Sequence, residues 1–114
     1  LTKRALQSQL KAKGLPWERA KAFTDSALFS DFVSLNSIDE HLTLELLING
    51  KRRQTGSITM MLYPPQAILD EILSFIALED GDIVMTGTPA GVGEVVAGDI
   101  FEGRVLNREK MLVI

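Results

Sequence analysis

Residues 82–94, DIVMTGTPAGVGE, run a short apolar stretch into a loop holding Thr86, Gly87, Thr88, Pro89, Gly91 and Gly93. A backbone this bare can bring N–H groups close to an anion. A phosphate cradle needs Lys and then Ser or Thr directly after its last glycine. Here Glu94 follows Gly93, and its charge opposes a phosphate. The dinucleotide fingerprint fails too, because Gly91-Val92-Gly93 leads into Glu94, Val95 and Val96 with no third glycine. The loop serves another ligand, or it is a tight connection between strands.

Few other residues carry chemistry by type and spacing. His41, the single histidine, stands beside Asp39 and Glu45 on the polar side of a strand pattern, where a solvated face is the expected role and a metal site the alternative. No serine lies in a Gly-x-Ser-x-Gly context, so a hydrolase triad has no support. Lys51-Arg52-Arg53 follows a turn and reads as a solvated charge cluster; Met60-Met61 reads as packing. Lys21, in KGLPWERAKAF, has Ala20, Ala22 and Phe23 around it and Trp17 four residues before it. A lysine in such company either snorkels to water, the reading that spacing favours, or is held to meet an anion. Arg4 and Gln7 share one side of a first helical turn at i and i+3.

The elements that must position these groups follow from periodicity. Residues 2–13 read as a helix with Ala5, Leu6 and Leu10 at helical spacing, ended by Gly14 and Pro16. In HLTLELLING, Leu42, Leu44, Leu46 and Ile48 alternate with His41, Thr43 and Glu45, which predicts a half-buried strand. Asn49-Gly50 is a two-residue hairpin signal, and KRRQTG is the return strand. Pro64-Pro65 opens a helix over about 66–76, whose Ile68, Leu69, Ile72, Leu73 and Ile76 form one stripe, expected to pack on the sheet. LEDGD turns into a strand at 83–86, and 99–106 and 111–114 are two more strands. The fold class is α+β, strand-rich with one core helix.

Composition excludes several functions. The 114 residues are 46% hydrophobic with net charge −3, enough for one modest core and unsuited to nucleic acid or an anionic membrane surface. Cysteine is absent, so no disulfide or thiolate metal site can form. No apolar run approaches the roughly 18 residues of a membrane span. No secretory leader is visible, which fits a cytoplasmic protein. The chain opens on Leu1 rather than Met, and an upstream portion is expected.

The segments LTKRALQ, KGLPWERAKAF, NGKRRQTG, GDIVMTGTPAGVG and AGD, in that order, resemble the fumarylacetoacetate hydrolase family, in register from Leu1 to about Asp99. The likeness is greatest to its acylpyruvate hydrolase and oxaloacetate decarboxylase branch. It implies a mixed β-roll, with residues 1–114 forming the C-terminal part of a catalytic domain. It also implies a homodimer in the complete protein, Mg²⁺ or Mn²⁺, and a small 2-oxo acid or 1,3-dicarbonyl substrate that is hydrolysed or decarboxylated, isomerisation being the alternative.

The resemblance implies that Lys21 is the catalytic lysine facing the metal-bound substrate. Arg4, Gln7 and Thr88 are substrate contacts, and all are expected around one concavity. It further implies that the metal ligands, a Glu-x-Glu pair and an aspartate just before Leu1, lie upstream together with a catalytic histidine that His41 does not match. No metal ligand is therefore assigned in this chain, and no metal is expected to be held by it alone. The sequence departs from the family pattern at Ala5, Leu28, Ile58 and Pro64-Pro65. Two classes follow: part of an enzyme that supplies substrate contacts, or a non-catalytic chain, degenerate or completed by a complementary N-terminal chain.

Overall fold

The computed structural model describes residues 1–35, 37–106 and the backbone of 111–113. It forms two compact units, residues 1–33 and 34–114. The fold is α+β, with an open antiparallel sheet and two α-helices.

The first unit holds helix α1 (Arg4–Ala12) and a 3-10 turn, Glu18–Ala20. Gly14 ends α1 with φ +62°. Its N–H donates to the Lys11 carbonyl at 3.1 Å, and the Leu15 N–H to the Leu10 carbonyl at 3.0 Å. This paired closure is the Schellman geometry, which needs a residue at ease in the left-handed region, and Gly14 supplies it. The Lys3 N–H donates to the Ala20 carbonyl at 3.0 Å, bringing the start of α1 to the 3-10 turn. Ala20, fully buried, and Gln7 are the buried residues of this unit. Lys11 lies over Trp17 and Lys3 over Phe23, with ammonium-to-ring distances of 4.6 and 4.5 Å.

The second unit is a sheet of β1 (Thr43–Ile48), β2 (Lys51–Ser57), β3 (Phe101–Leu106) and β4 (Met111–Val113), ordered β2-β1-β3-β4 with every pair antiparallel. The expected hairpin is present, with Asn49 at φ +52° and Gly50 at φ +72°, the two left-handed residues that a two-residue connection needs to follow strand twist. A second device ties this turn to β3. The Asn49 side chain donates to Asp99 Oδ1 at 2.8 Å and accepts from the Ile100 N–H at 2.9 Å.

Four expectations change. Leu44, placed on the inward face, is 43% exposed, whereas Leu47 on the opposite face is 8% exposed. The apolar run Leu46-Leu47-Ile48 breaks the alternation and supplies both faces. Leu47 pairs in register with Arg52 on β2 and Glu102 on β3, so long side chains flank it on both sides. Those side chains belong to an ion-pair row: Arg52 to Glu45 at 3.1 Å, Arg104 to Glu45 at 3.9 Å and Arg104 to Glu102 at 2.5 Å. The polar reading of Thr43 and Glu45 therefore holds, but the core position beside them was missed.

Residues 83–86 form no strand: the apolar run has no ladder partner among the described residues, and without one it cannot be a strand. Asp99 and Ile100 also lie outside β3, with Asp99 closing a turn through the Val96 N–H at 2.9 Å. Helix α2 (Pro65–Leu73) starts after Pro64 as expected, but none of its residues is buried, and Leu73 and Ile76 are half exposed. Its stripe is only partly covered, not the centre of a core. Residue 114, expected in the last strand, lies outside the described residues.

Candidate functional site

The candidate residues fall in both units: Arg4, Gln7 and Lys21 in the first, Thr88 in the second. Arg4 Nη1 donates to Gln7 Oε1 at 2.6 Å. Because a guanidinium only donates, this bond identifies Oε1 as the acceptor and leaves the Gln7 NH₂ as donor. Gln7 is 5% exposed, so the arginine is anchored by a side chain that is itself held in place. Lys21 caps the C-terminal side of the 3-10 turn, is exposed, and donates from Nζ to Thr2 Oγ1 at 2.8 Å. It snorkels to the surface, where one of its three N–H bonds goes to Thr2. Thr2 lies two residues before α1, and the Lys3–Ala20 bond keeps Lys21 at that same end. Arg4, Lys21 and the partly positive N-terminal end of α1 make this a cationic region. Neither cation has a carboxylate partner within 4.0 Å among the described residues.

In the second unit, the loop at 88–91 sits on β2. Thr88 is exposed, and its Oγ1 accepts from Gln54 Nε2 at 3.0 Å. The same Nε2 donates to the Pro89 carbonyl at 2.8 Å. The Pro89 ring packs against Gly56, where a Cβ would meet Pro89 Cγ at 3.1 Å.

Gly91 has φ +105°, and a Cβ there would collide with the carbonyl oxygen of Arg53. Arg53 is the extra residue where the β1–β2 register slips, since Leu46 pairs with Gln54 and Leu47 with Arg52. One purpose of the bare backbone is thus structural: Gly91 lets the loop close onto a β-bulge. A recess of about 310 Å³ beside it is lined by Ile48, Arg53, Gly91, Val92, Gly93 and Glu94, and Thr88 is not on it. Glu94 and Arg53 set opposite charges on it, so the recess offers an anion no net positive charge.

Asp99 is held below the ordinary carboxylate range. The Val96 N–H and then the Asn49 amide stabilise its charged form, against partial desolvation, and Arg53 adds a weaker attraction. This carboxylate organises the turn between the loop and β3.

Among the described residues no three His, Cys, Asp or Glu side chains come together as a metal site. Mg²⁺ and Mn²⁺ are held by clustered oxygen ligands, so the described side chains do not fit such an ion. His41 pairs with Glu40 at 3.4 Å, and its backbone N–H donates to Asp39. Gln54 was missed as a functional candidate. Its only signal in the sequence is an amide side chain two residues before Gly56 in a return strand.

The model of the fumarylacetoacetate hydrolase C-terminal region matches residues 1–111. The chain belongs to the fumarylacetoacetate hydrolase family. Human oxaloacetate tautomerase FAHD1, mitochondrial, is 43% identical over 107 residues, covering 92% of this chain and 48% of the human protein. The chain therefore spans about half the length of the curated relatives it matches. A fumarylacetoacetate isomerase/hydrolase-like protein from Oleispira antarctica superposes with a TM-score of 0.89 at 38% identity, over 99% of this chain and 53% of that one.

Fumarylpyruvate hydrolase from Pseudomonas aeruginosa, solved with Mn²⁺ and pyruvate, gives a TM-score of 0.77 at 32% identity, over 91% and 46%. These family members are enzymes, and one binds a divalent metal. The expectation of a cytoplasmic protein is corrected by relatives from human and Saccharomyces cerevisiae, both named as mitochondrial. Among the described residues, no helix is long and apolar enough to cross a membrane.

Proposed function

We propose that this chain is the C-terminal part of a catalytic domain and supplies substrate contacts to an enzyme acting on a small 2-oxo acid through its enol or enolate. The observation that carries this reading is the cationic end of α1, with Arg4 anchored by Gln7 and Lys21 tied to Thr2. It occurs in a chain 43% identical to an oxaloacetate tautomerase. A 2-oxo dicarboxylate brings two negative carboxylates and develops a third negative oxygen as its enolate forms.

Arg4 suits a carboxylate, because its planar fork matches two oxygens. Lys21 suits the developing oxyanion, because a fixed positive charge stabilises it more than the neutral ketone. Thr88 would donate its hydroxyl to a carboxylate or carbonyl oxygen.

Keto–enol tautomerisation moves one proton between carbon and oxygen and releases nothing. Hydrolysis adds water across a C–C bond, and decarboxylation releases carbon dioxide. All three pass through the same oxyanion, and the relatives' names favour tautomerisation of oxaloacetate. In the complete protein, a divalent cation would add further positive charge at that oxygen. This chain's described residues contribute cations and hydrogen bonds instead. The complete protein is expected to be a homodimer. The second reading is a non-catalytic chain, and the departures from the family pattern at Ala5 and Ile58 favour it.

Fusion behind the N-terminal half of the human relative, assayed with Mn²⁺ for loss of the oxaloacetate enol absorbance, separates the two. Catalysis is expected, and Lys21→Met should slow it about a hundredfold, the scale of one lost oxyanion contact, while Lys13→Met should not. Full activity in Lys21→Met would overturn the role of Lys21. An inactive but folded fusion would favour the non-catalytic reading.

A further inference from the structure

A threonine hydroxyl is a rotor: one proton to donate and two lone pairs to accept, with its direction set by its neighbours. At Thr88 the neighbour is Gln54, whose Nε2 lies 3.0 Å from Thr88 Oγ1 and 2.8 Å from the Pro89 carbonyl oxygen. The Pro89 carbonyl can only accept, so the amide end facing it must be the NH₂, and its two N–H bonds go to Pro89 and Thr88. Thr88 Oγ1 is thereby used as an acceptor on its Gln54 side, and its own proton is turned away from Gln54. Gln54 Cγ also runs close past the bare Gly91 backbone, where an added Cβ would stand 3.2 Å from it.

We propose that Gln54 is a positioning residue: by committing its amide to Thr88 Oγ1 and Pro89, it turns the Thr88 hydroxyl into a directed donor for an anionic oxygen of the substrate. This rests on the proposed role of Thr88. Gln54 need not touch the substrate. Its effect passes through the orientation of one hydroxyl, and the Pro89 bond prevents the amide from rotating away. The same atoms explain why a glutamate would not serve. A carboxylate at 54 would accept the Thr88 proton instead of donating to it, and it would repel both the Pro89 carbonyl and the incoming anion.

Oxalate, a planar analogue of an enolised 2-oxo acid, is the probe, titrated into the ¹⁵N-labelled chain at constant ionic strength. The Thr88 backbone amide and the Gln54 side-chain NH₂ signals are followed. Thr88→Val should weaken oxalate binding about ten- to a hundredfold, as for one hydrogen bond to a charged group, and Gln54→Met by no more than that. The double variant should bind no more weakly than Thr88→Val alone. Gln54→Glu should weaken binding at least as much as Gln54→Met, and it provides the same comparison should Gln54→Met fail to keep the β1–β2 amide pattern.

If the Gln54→Met loss persists undiminished on top of Thr88→Val, Gln54 acts by packing alone and the inference is overturned while the role of Thr88 stands. If Thr88→Val binds oxalate as the parent does, or the Thr88 signal never moves, the assigned role of Thr88 falls and the inference with it.

Discussion

The carbonyl oxygen of Arg53 occupies the space that a side chain on Gly91 would need. A bulge in β2 and a left-handed residue in the glycine loop are thus two halves of one contact, and the loop's position over β2 depends on it. The same seat holds Pro89 against Gly56 and brings Thr88 to Gln54.

Gly91→Ala is therefore expected to destabilise the fold by about 2 kcal/mol or more, combining backbone strain at φ +105° with the collision. Gly93→Ala is the matched control, having a φ outside the left-handed range and nothing within 4 Å of its added methyl. Urea unfolding of both variants gives the difference. Equal midpoints would show that the loop does not rest on the bulge.

Leu47 and Leu44 lie on opposite faces of β1, and the sequence pattern favours the wrong one for burial. Leu47→Ala should cost roughly 2–3 kcal/mol as a buried truncation, whereas Leu44→Ala should cost less than about 1 kcal/mol. Denaturant midpoints with unchanged m-values would establish the order. A larger loss for Leu44→Ala would mean that the face assignment is inverted.

Asp99 makes a pH dependence. Its folded pKa is lowered, so the stability it contributes is present above the unfolded value near 3.8 and is lost as pH falls through the lower folded value. Asp99→Asn should flatten this acid limb, because an amide does not titrate in this range. Thermal melts between neutral pH and about pH 2, bracketing the carboxylate range, test it. Parallel acid limbs in parent and variant would remove Asp99 from the account.

Mg²⁺ should bind the isolated chain weakly or not at all, and oxaloacetate should not turn over with it. The ion gives up its water reluctantly and needs fixed carboxylates, whereas Arg4 and Lys21 present positive charge. Calorimetric titration followed by an oxaloacetate assay provides the measurement. Micromolar affinity together with turnover would show that metal ligands have been overlooked.

Local chemistry alone made several elements readable along the chain. Asn49-Gly50 had to turn because both positions demand the left-handed region, and Gly14 had to end α1 for the same reason. Arg4 and Gln7 met because i and i+3 share a helix side. The order of KGLPW, the Asn-Gly turn and the glycine loop carries the family resemblance in the sequence itself.

Other features depend on contacts between distant segments. Gln54 reaches Thr88 across 34 residues, and Gly91 is shaped by a bulge whose position no periodicity announces. Leu47 is buried because β2 and β3 set Arg52 and Glu102 on either side of it, and residues 83–86 are no strand because nothing pairs with them. Periodicity states which faces a strand can offer, but burial and ladder pairing are properties of neighbours, which only the folded chain supplies.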